Sequence, residues 1–319
     1  MRLSDEKRGL IARAELVIPM FSDLHTDSVD DPHFTAQMNA LKELRDEVGK
    51  FDAVISLGDL PAMLGRSKHA SNAEIGELLR TSAEIMSKTA DAPLLAVNGN
   101  HDAVGTDFFS PELWNSSVGR DPERGLGVHD GENVWFYADF EKAKLRFIFL
   151  SVPHGSDLSG ERPTPLWSFG KEQLDWLEKT LAGISDGWHA ILFSHVPLCS
   201  VYDGDMESTL RVWDGKRERD ATIASLCGWI DDRNEAEEIL NLSGKVILAI
   251  GGHEHYDEVF APGKEKRGFV NRLCFPQVVI SSHRKTEKSP DRLFSSTGVK
   301  VIGVEADGTT SLKVLIIGE

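Results

Sequence analysis

Five short clusters of hard polar residues punctuate the sequence: Asp23 and His25, Gly58-Asp59, Gly99-Asn100-His101-Asp102, Ser194-His195, and Gly251-Gly252-His253-Glu254-His255. Seven of these residues, Asp23, His25, Asp59, Asn100, His195, His253 and His255, offer two carboxylates, one amide oxygen and four imidazoles with no thiolate. Such a mixed oxygen and nitrogen set suits Mn, Fe, Co, Ni or Zn ions rather than Ca²⁺, which takes oxygen ligands. Seven protein ligands exceed what one open catalytic ion accepts. They suit two ions sharing a bridging carboxylate, about 3.5–4 Å apart, an arrangement that supports in-line displacement at phosphorus.

Every cluster directly follows an apolar run. Leu16–Phe21, Ala53–Leu57 and Leu94–Val97 read as buried strands. A helix with Phe34, Met38, Leu41, Leu44 and Val48 at helical spacing separates the first two. Ser71 and Glu74 form a capping box ahead of a second helix, which carries Ile75, Leu78, Leu79, Ile85 and Met86. Strand and helix in alternation predict a parallel sheet covered on both faces. In such a sheet the carboxyl ends of neighbouring strands deliver their loops to one crevice. The runs Ala190–Phe193 and Val246–Ile250, each followed by histidines, repeat the placement.

The remaining pattern sets the architecture. Ala103–Asn133, with two prolines and several glycines, reads as a loop too polar for the core. Strands are expected at Val134–Tyr137, Leu145–Val152, Gln277–Ser281, Lys300–Glu305 and Leu312–Ile317, and helices over Lys171–Leu181 and near Asn234–Leu240. A helix-crossed first half and a meandering end predict an α/β fold: two mixed β-sheets packed as a sandwich, with helices outside. A single domain over 15–319 is expected behind a polar segment, 1–14, with loop insertions around 103–133, 153–168 and 199–220. Those insertions are expected to wall the site. Trp114, Trp167, Tyr202 and Trp213 are candidates to stack on a ring of the substrate or to pack.

The five motifs, in this order, resemble the calcineurin-like metallophosphoesterase family over roughly residues 16–258. Phe193-Ser194-His195-Val196-Pro197 and Glu172-Gln173-Leu174-Asp175-Trp176-Leu177 are further similar to segments of class III cyclic-nucleotide phosphodiesterases and their relatives. The resemblance implies a four-layer fold and one ion held by Asp23, His25, Asp59 and His255. It implies a second held by Asp59, Asn100, His195 and His253, with Asp59 bridging and a hydroxide between the ions as nucleophile. His101 would stabilise the phosphoryl oxygens and protonate the leaving group, and Asp102 is a candidate to orient its imidazole. The expected activity is hydrolysis of phosphodiesters or phosphomonoesters. The contrasting readings are a catalytically silent scaffold on the same fold and, among enzymes, a protein phosphatase or nuclease.

Composition narrows the partners. The 319 residues carry 35 Lys+Arg against 51 Asp+Glu, a formal charge of −16, which disfavours proteins that track nucleic acid or anionic membranes. A small or locally presented phosphate ester fits better. Three cysteines without CxxC spacing imply neither a disulfide framework nor a thiolate zinc site. The first apolar run is too short for a signal-peptide core or a membrane span, so a cytoplasmic location is expected.

Overall fold

Strands buried on both faces must be apolar at every position, and the first three show how that produces layers. A computed structural model describes residues 5–26, 28–60, 71–99, 102, 111–118, 128–129, 134–151, 168–198, 209–213, 218–222, 232–253, 257–266, 269–280, 300–305 and 312–316. It begins with α1 (Asp5–Arg13), β1 (Ala14–Phe21), α2 (Pro32–Val48), β2 (Val54–Ser56), α3 (Asn72–Ala90) and β3 (Leu94–Ala96). Along β1, Leu16, Ile18 and Met20 face one way, while Val17 and Phe21 face the helices. Phe34, Met38, Leu41 and Leu44 of α2 and Ile75, Leu79 and Met86 of α3 cover that outer side. Asp31 and Ser71 cap α2 and α3, the latter through the predicted capping box with Glu74.

The second half supplies the other two layers. In chain order come α4 (Pro111–Val118), β4 (Val128–His129), β5 (Phe136–Phe140), β6 (Leu145–Leu150), α5 (Gly170–Ala182), β7 (His189–Ser194), β8 (Thr209–Trp213) and β9 (Glu218–Thr222). They are followed by α6 (Arg233–Ser243), β10 (Val246–Gly251), β11 (Glu258–Phe260), β12 (Glu265–Lys266), β13 (Phe269–Val270), β14 (Gln277–Val279), β15 (Lys300–Glu305) and β16 (Leu312–Ile316). One sheet has the order β16-β15-β1-β2-β3 and the other β11-β14-β10-β7-β6-β5-β4. Parallel pairing joins β1 to β2 to β3, and β6 to β7 to β10 to β14, and the outer strands run antiparallel. Both sheets are therefore mixed, as expected.

The inner faces meet in one core. Leu16, Ile18, Met20, Ile55, Leu95 and Val97 pack against Phe136, Phe147, Phe149, Ile191, Phe193 and Ile250. Phe136, Phe149 and Phe193 are register neighbours on β5, β6 and β7, and their rings stack at centroid distances of 4.5 and 4.8 Å. The alternate residues Ile148, Leu150, Leu192 and Ala249 face Leu174, Leu177 and Leu181 of α5 and Leu240 of α6. Helix, sheet, sheet, helix is the resulting order of layers.

Three readings change. The stretch 103–133 contains α4, whose Trp114 is only 5% exposed and joins the core beside α3, so this part is neither loop nor too polar to bury. Within the polar 199–220 segment, β8 and β9 pair as an antiparallel hairpin. The polar start holds α1, whose Ile11 is buried against the first sheet's helical layer. Trp114 thus packs, Trp167 and Tyr202 lie outside the described residues, and Trp213 ends β8.

Candidate metal centre

The loops that leave the parallel strands travel in pairs. Beyond β1 and β2, Asp23 N–H donates to the Gly58 carbonyl at 3.1 Å, His25 N–H to Asp59 at 2.9 Å and Thr26 N–H to Leu60 at 2.8 Å. Beyond β7 and β10, Gly252 N–H donates to the His195 carbonyl at 2.9 Å. Two further bonds cross between the sheets. His195 Nδ1 lies 2.7 Å from the Leu57 carbonyl, and His253 N–H donates to Asp23 Oδ2 at 3.0 Å. The carboxyl edges of both sheets therefore converge on one place.

Backbone strain is concentrated there. Asp23, His25, Asp59 and His253 have φ of 52°, 44°, 55° and 64°, a left-handed conformation that costs non-glycine residues energy. Among the described residues only Asp91 and Lys144 share it, each closing a helical segment. Close approach excludes side chains beside them. A Cβ on Gly58, whose φ is 95°, would sit 2.6 Å from Gly99 N and 2.9 Å from His195 Nδ1. One on Gly252 would meet Asp23 Oδ2 at 2.8 Å and collide with Ser22 Oγ.

The side chains form two overlapping groups. Ligand atoms of Asp23, His25 and Asp59 lie within 4.8 Å of one another, as do those of Asp59, His195 and His253. His25 Nε2 is 3.7 Å from both Asp23 Oδ1 and Asp59 Oδ2, and His195 Nε2 is 3.3 Å from Asp59 Oδ2. Because a carbonyl only accepts, the Leu57 contact places a proton on His195 Nδ1 and leaves Nε2 facing Asp59. Asp23 Oδ2 accepts from Ser22 Oγ as well as from His253 N–H, which directs Oδ1 toward His25.

Asp23 and Asp59, at 0% and 1% exposure, are buried carboxylates, and burying such charge is costly unless it is compensated. In the ion-free protein the imidazoles respond. Burial is the largest single influence and opposes charge on His195, but the Asp59 and Asp23 carboxylates and the Leu57 carbonyl together outweigh it and push the imidazole up to about 10. Burial likewise opposes charge on His25, and the nearby Asp23 and Asp59 carboxylates raise it above its ordinary value. A compact, buried set of carboxylate oxygen and imidazole nitrogen fits one or two transition-metal ions, with Asp59 common to both groups.

Asp102 takes a place that spacing did not reveal. Its Oδ2 accepts from Gly99 N–H at 2.6 Å and Asp59 N–H at 2.9 Å, and its Oδ1 from Leu60 N–H at 3.0 Å. It joins the loops after β2 and β3, and burial followed by the Asp59 charge pushes its carboxyl up to about 7. Ser22 also escaped the sequence reading, although it sits beside Asp23. Asn100, His101 and His255 lie outside the described residues.

A four-layer sandwich with this donor cluster at the carboxyl ends of its strands is the architecture of a metallohydrolase. The chain belongs to the calcineurin-like phosphoesterase family, whose family model matches residues 18–257. Membership makes it one of the metal-dependent phosphoester hydrolases, and the donors for that chemistry are in place. A dimetal phosphatase from Danio rerio has a similar structure, with a TM-score of 0.55 at 14% identity over 96% of each chain. Purple acid phosphatase PPD1 from yellow lupin, Lupinus luteus, gives 0.50 at 16% identity over 90% of this chain and 49% of that one. PhoD gives 0.55 at 13% identity over 92% of this chain and 64% of that one. This chain thus spans about half of the lupin enzyme, and the likeness to all three is one of fold. No curated protein matches the chain significantly by sequence.

Proposed function

We propose that the protein hydrolyses small phosphate esters, phosphodiesters or phosphomonoesters, using two transition-metal ions. The observation that carries this reading is the pair of donor groups that share Asp59, each with its ligand atoms within 4.8 Å. Asp23, His25 and Asp59, completed by His255, would hold one ion, and Asp59, His195 and His253, completed by Asn100, the other. When bound, such ions supply positive charge for the phosphoryl oxygens and hydroxide near neutral pH. Asp59 belongs to both groups, His195 presents Nε2 through its Leu57 bond, and Asp102 holds the loops after β2 and β3. His101, which leads into Asp102, is the candidate proton donor to the leaving alkoxide.

The similarity of Glu172–Leu177 to class III phosphodiesterases favours a small diester or nucleotide over a phosphoprotein. Turnover of p-nitrophenyl phosphate and bis(p-nitrophenyl) phosphate with added Mn²⁺ tests the reading. Asp59→Asn and His195→Ala are expected to lose at least about 100-fold in kcat, as when an oriented charge-stabilising group is removed. Full activity in both variants, or no turnover of either ester by the parent protein, would overturn it.

A further inference from the structure

Away from the donor groups, a buried chain of polar side chains leads from a helix to the edge of the site. Gln173 of α5 accepts from Ser151 N–H through Oε1 at 2.7 Å, and its Nε2 donates to the Ser151 and Phe169 carbonyls, each at 3.0 Å. One oxygen faces an N–H and one nitrogen faces two carbonyls, so the orientation of the amide is set by its partners. Ser151 follows the last residue of β6, and its Oγ donates to Asn98 Oδ1 at 2.6 Å. Exposure is 0% for Gln173 and 1% for both Ser151 and Asn98. Asn98 Nδ2 is buried without a hydrogen-bond partner among the described residues, so the Ser151 hydroxyl alone orients that amide there.

Register places this chain at the level of the site. Leu150 pairs with Ser194, which sets Ser151 beside His195, and Ala96 pairs with Ser56, which sets Asn98 level with Gly58. The loops carrying Asp23 and His195 have their own bonds across the sheets, to His253 and Leu57. For the loop after β3, the cross-sheet bond among the described residues is that from Ser151 to Asn98. Its other ties, Val97 N–H to the Ser56 carbonyl and Gly99 N–H to Asp102, stay within the first sheet's loops.

We infer that Gln173, Ser151 and Asn98 form a positioning relay: α5 fixes Ser151, Ser151 orients Asn98, and the start of the loop after β3 is thereby held against the second sheet. None of the three touches the donor groups through its side chain in the bonds above, so each acts through that loop. The relay's effect on catalysis rests on the two-ion reading, whereas its effect on loop order does not.

Ser151→Ala and Ser151→Thr in the full chain test it, the second retaining the hydroxyl. Amide exchange in the ion-free protein is read over 98–102, with 136–140 of β5 as the internal reference. Ser151→Ala is expected to speed exchange over 98–102 by at least about fivefold and leave β5 unchanged, as local opening does, and Ser151→Thr to restore protection. Gln173→Glu, which sets a carboxylate oxygen against two carbonyls, is expected to act in the same direction. In titrations with Mn²⁺ alone, Ser151→Ala weakens one of two sites by about tenfold, the size of effect expected for an outer-shell partner. In turnover it lowers kcat by a similar factor with KM within about twofold, the signature of an interaction that acts in the transition state. Unchanged exchange over 98–102 in Ser151→Ala would overturn the relay. Absence of Mn²⁺ binding or turnover in the parent protein would instead overturn the phosphoesterase reading, and the exchange comparison would still decide the relay.

Discussion

At the scale of single residues, charge and strain at one place explain each other. Asp23, His25, Asp59 and His253 adopt left-handed backbone, and the carboxylates among them are buried where hydrogen-bond donors and cations must offset them. In the ion-free protein those cations are partly protons. His195 is held up to about 10 and so carries a proton at neutral pH, and His25 is shifted upward in the same direction by the neighbouring carboxylates. A metal ion must displace such protons, because an imidazole binds metal only when neutral. Loading is therefore expected to release protons near pH 7, and affinity to rise with pH until the raised imidazoles have titrated. Calorimetry with Mn²⁺ in buffers of different ionisation enthalpy checks this, and heats independent of the buffer would contradict it. Gly252→Ala tests the crowding: its Cβ would press on Ser22 Oγ and Asp23 Oδ2, and Mn²⁺ binding is expected to weaken by about tenfold, as when a ligand's supporting shell is disturbed. The donor types were legible in the sequence because Asp and His after apolar runs mark strand ends. The left-handed backbone and the loop-joining role of Asp102 were not, since both arise from contacts between segments far apart in sequence.

At the scale of elements, local signals and tertiary signals can be separated. The α3 start was readable because its capping box lies within four residues, and the structure forms both halves of it. Ser71→Ala is expected to cost about 1 kcal/mol of stability, measured by denaturant midpoint at constant slope. The long strands were legible because burial on both faces leaves an unbroken apolar run, as in β7 and β10. Short or half-polar elements were not. The eight residues of α4 barely exceed two turns, and its proline reads as a loop signal although proline is tolerated at a helix start. The sequence of β9, Glu218–Thr222, has three charged residues in five, and it becomes a strand by pairing with β8. Such pairing has no signature in a window of that size.

At the scale of the whole molecule, the net charge of −16 is altered where it matters. Two divalent ions bring the total to −16 + 4 = −12, yet inside the proposed site +4 faces the carboxylates of Asp23 and Asp59. The proposed substrate, a small phosphate ester, would meet that local potential, whereas a long polyanion would meet the acidic net charge as well. The same ions, once bound, would also join the two sheets. Asp59 belongs to the first sheet's loops and His195 and His253 to the second's, so a bound ion links β2 to β7 and β10 as well as relieving buried repulsion. Metal binding should therefore stabilise the sandwich by mass action, by about 2.7 kcal/mol at 100 times the dissociation constant. Thermal unfolding of chelated protein is expected several degrees below that of Mn²⁺-loaded protein, with the gap widening as free Mn²⁺ rises. Asp59→Asn should remove most of the gap, because the shared ligand is lost from both groups. Phe193→Ala separates this effect from packing: it opens the stack of Phe136, Phe149 and Phe193 between the sheets and should cost about 3–5 kcal/mol with or without metal. A metal-dependent gap that persists in Phe193→Ala but collapses in Asp59→Asn would assign the stabilisation to the shared carboxylate, and a gap of equal size in both variants would contradict it.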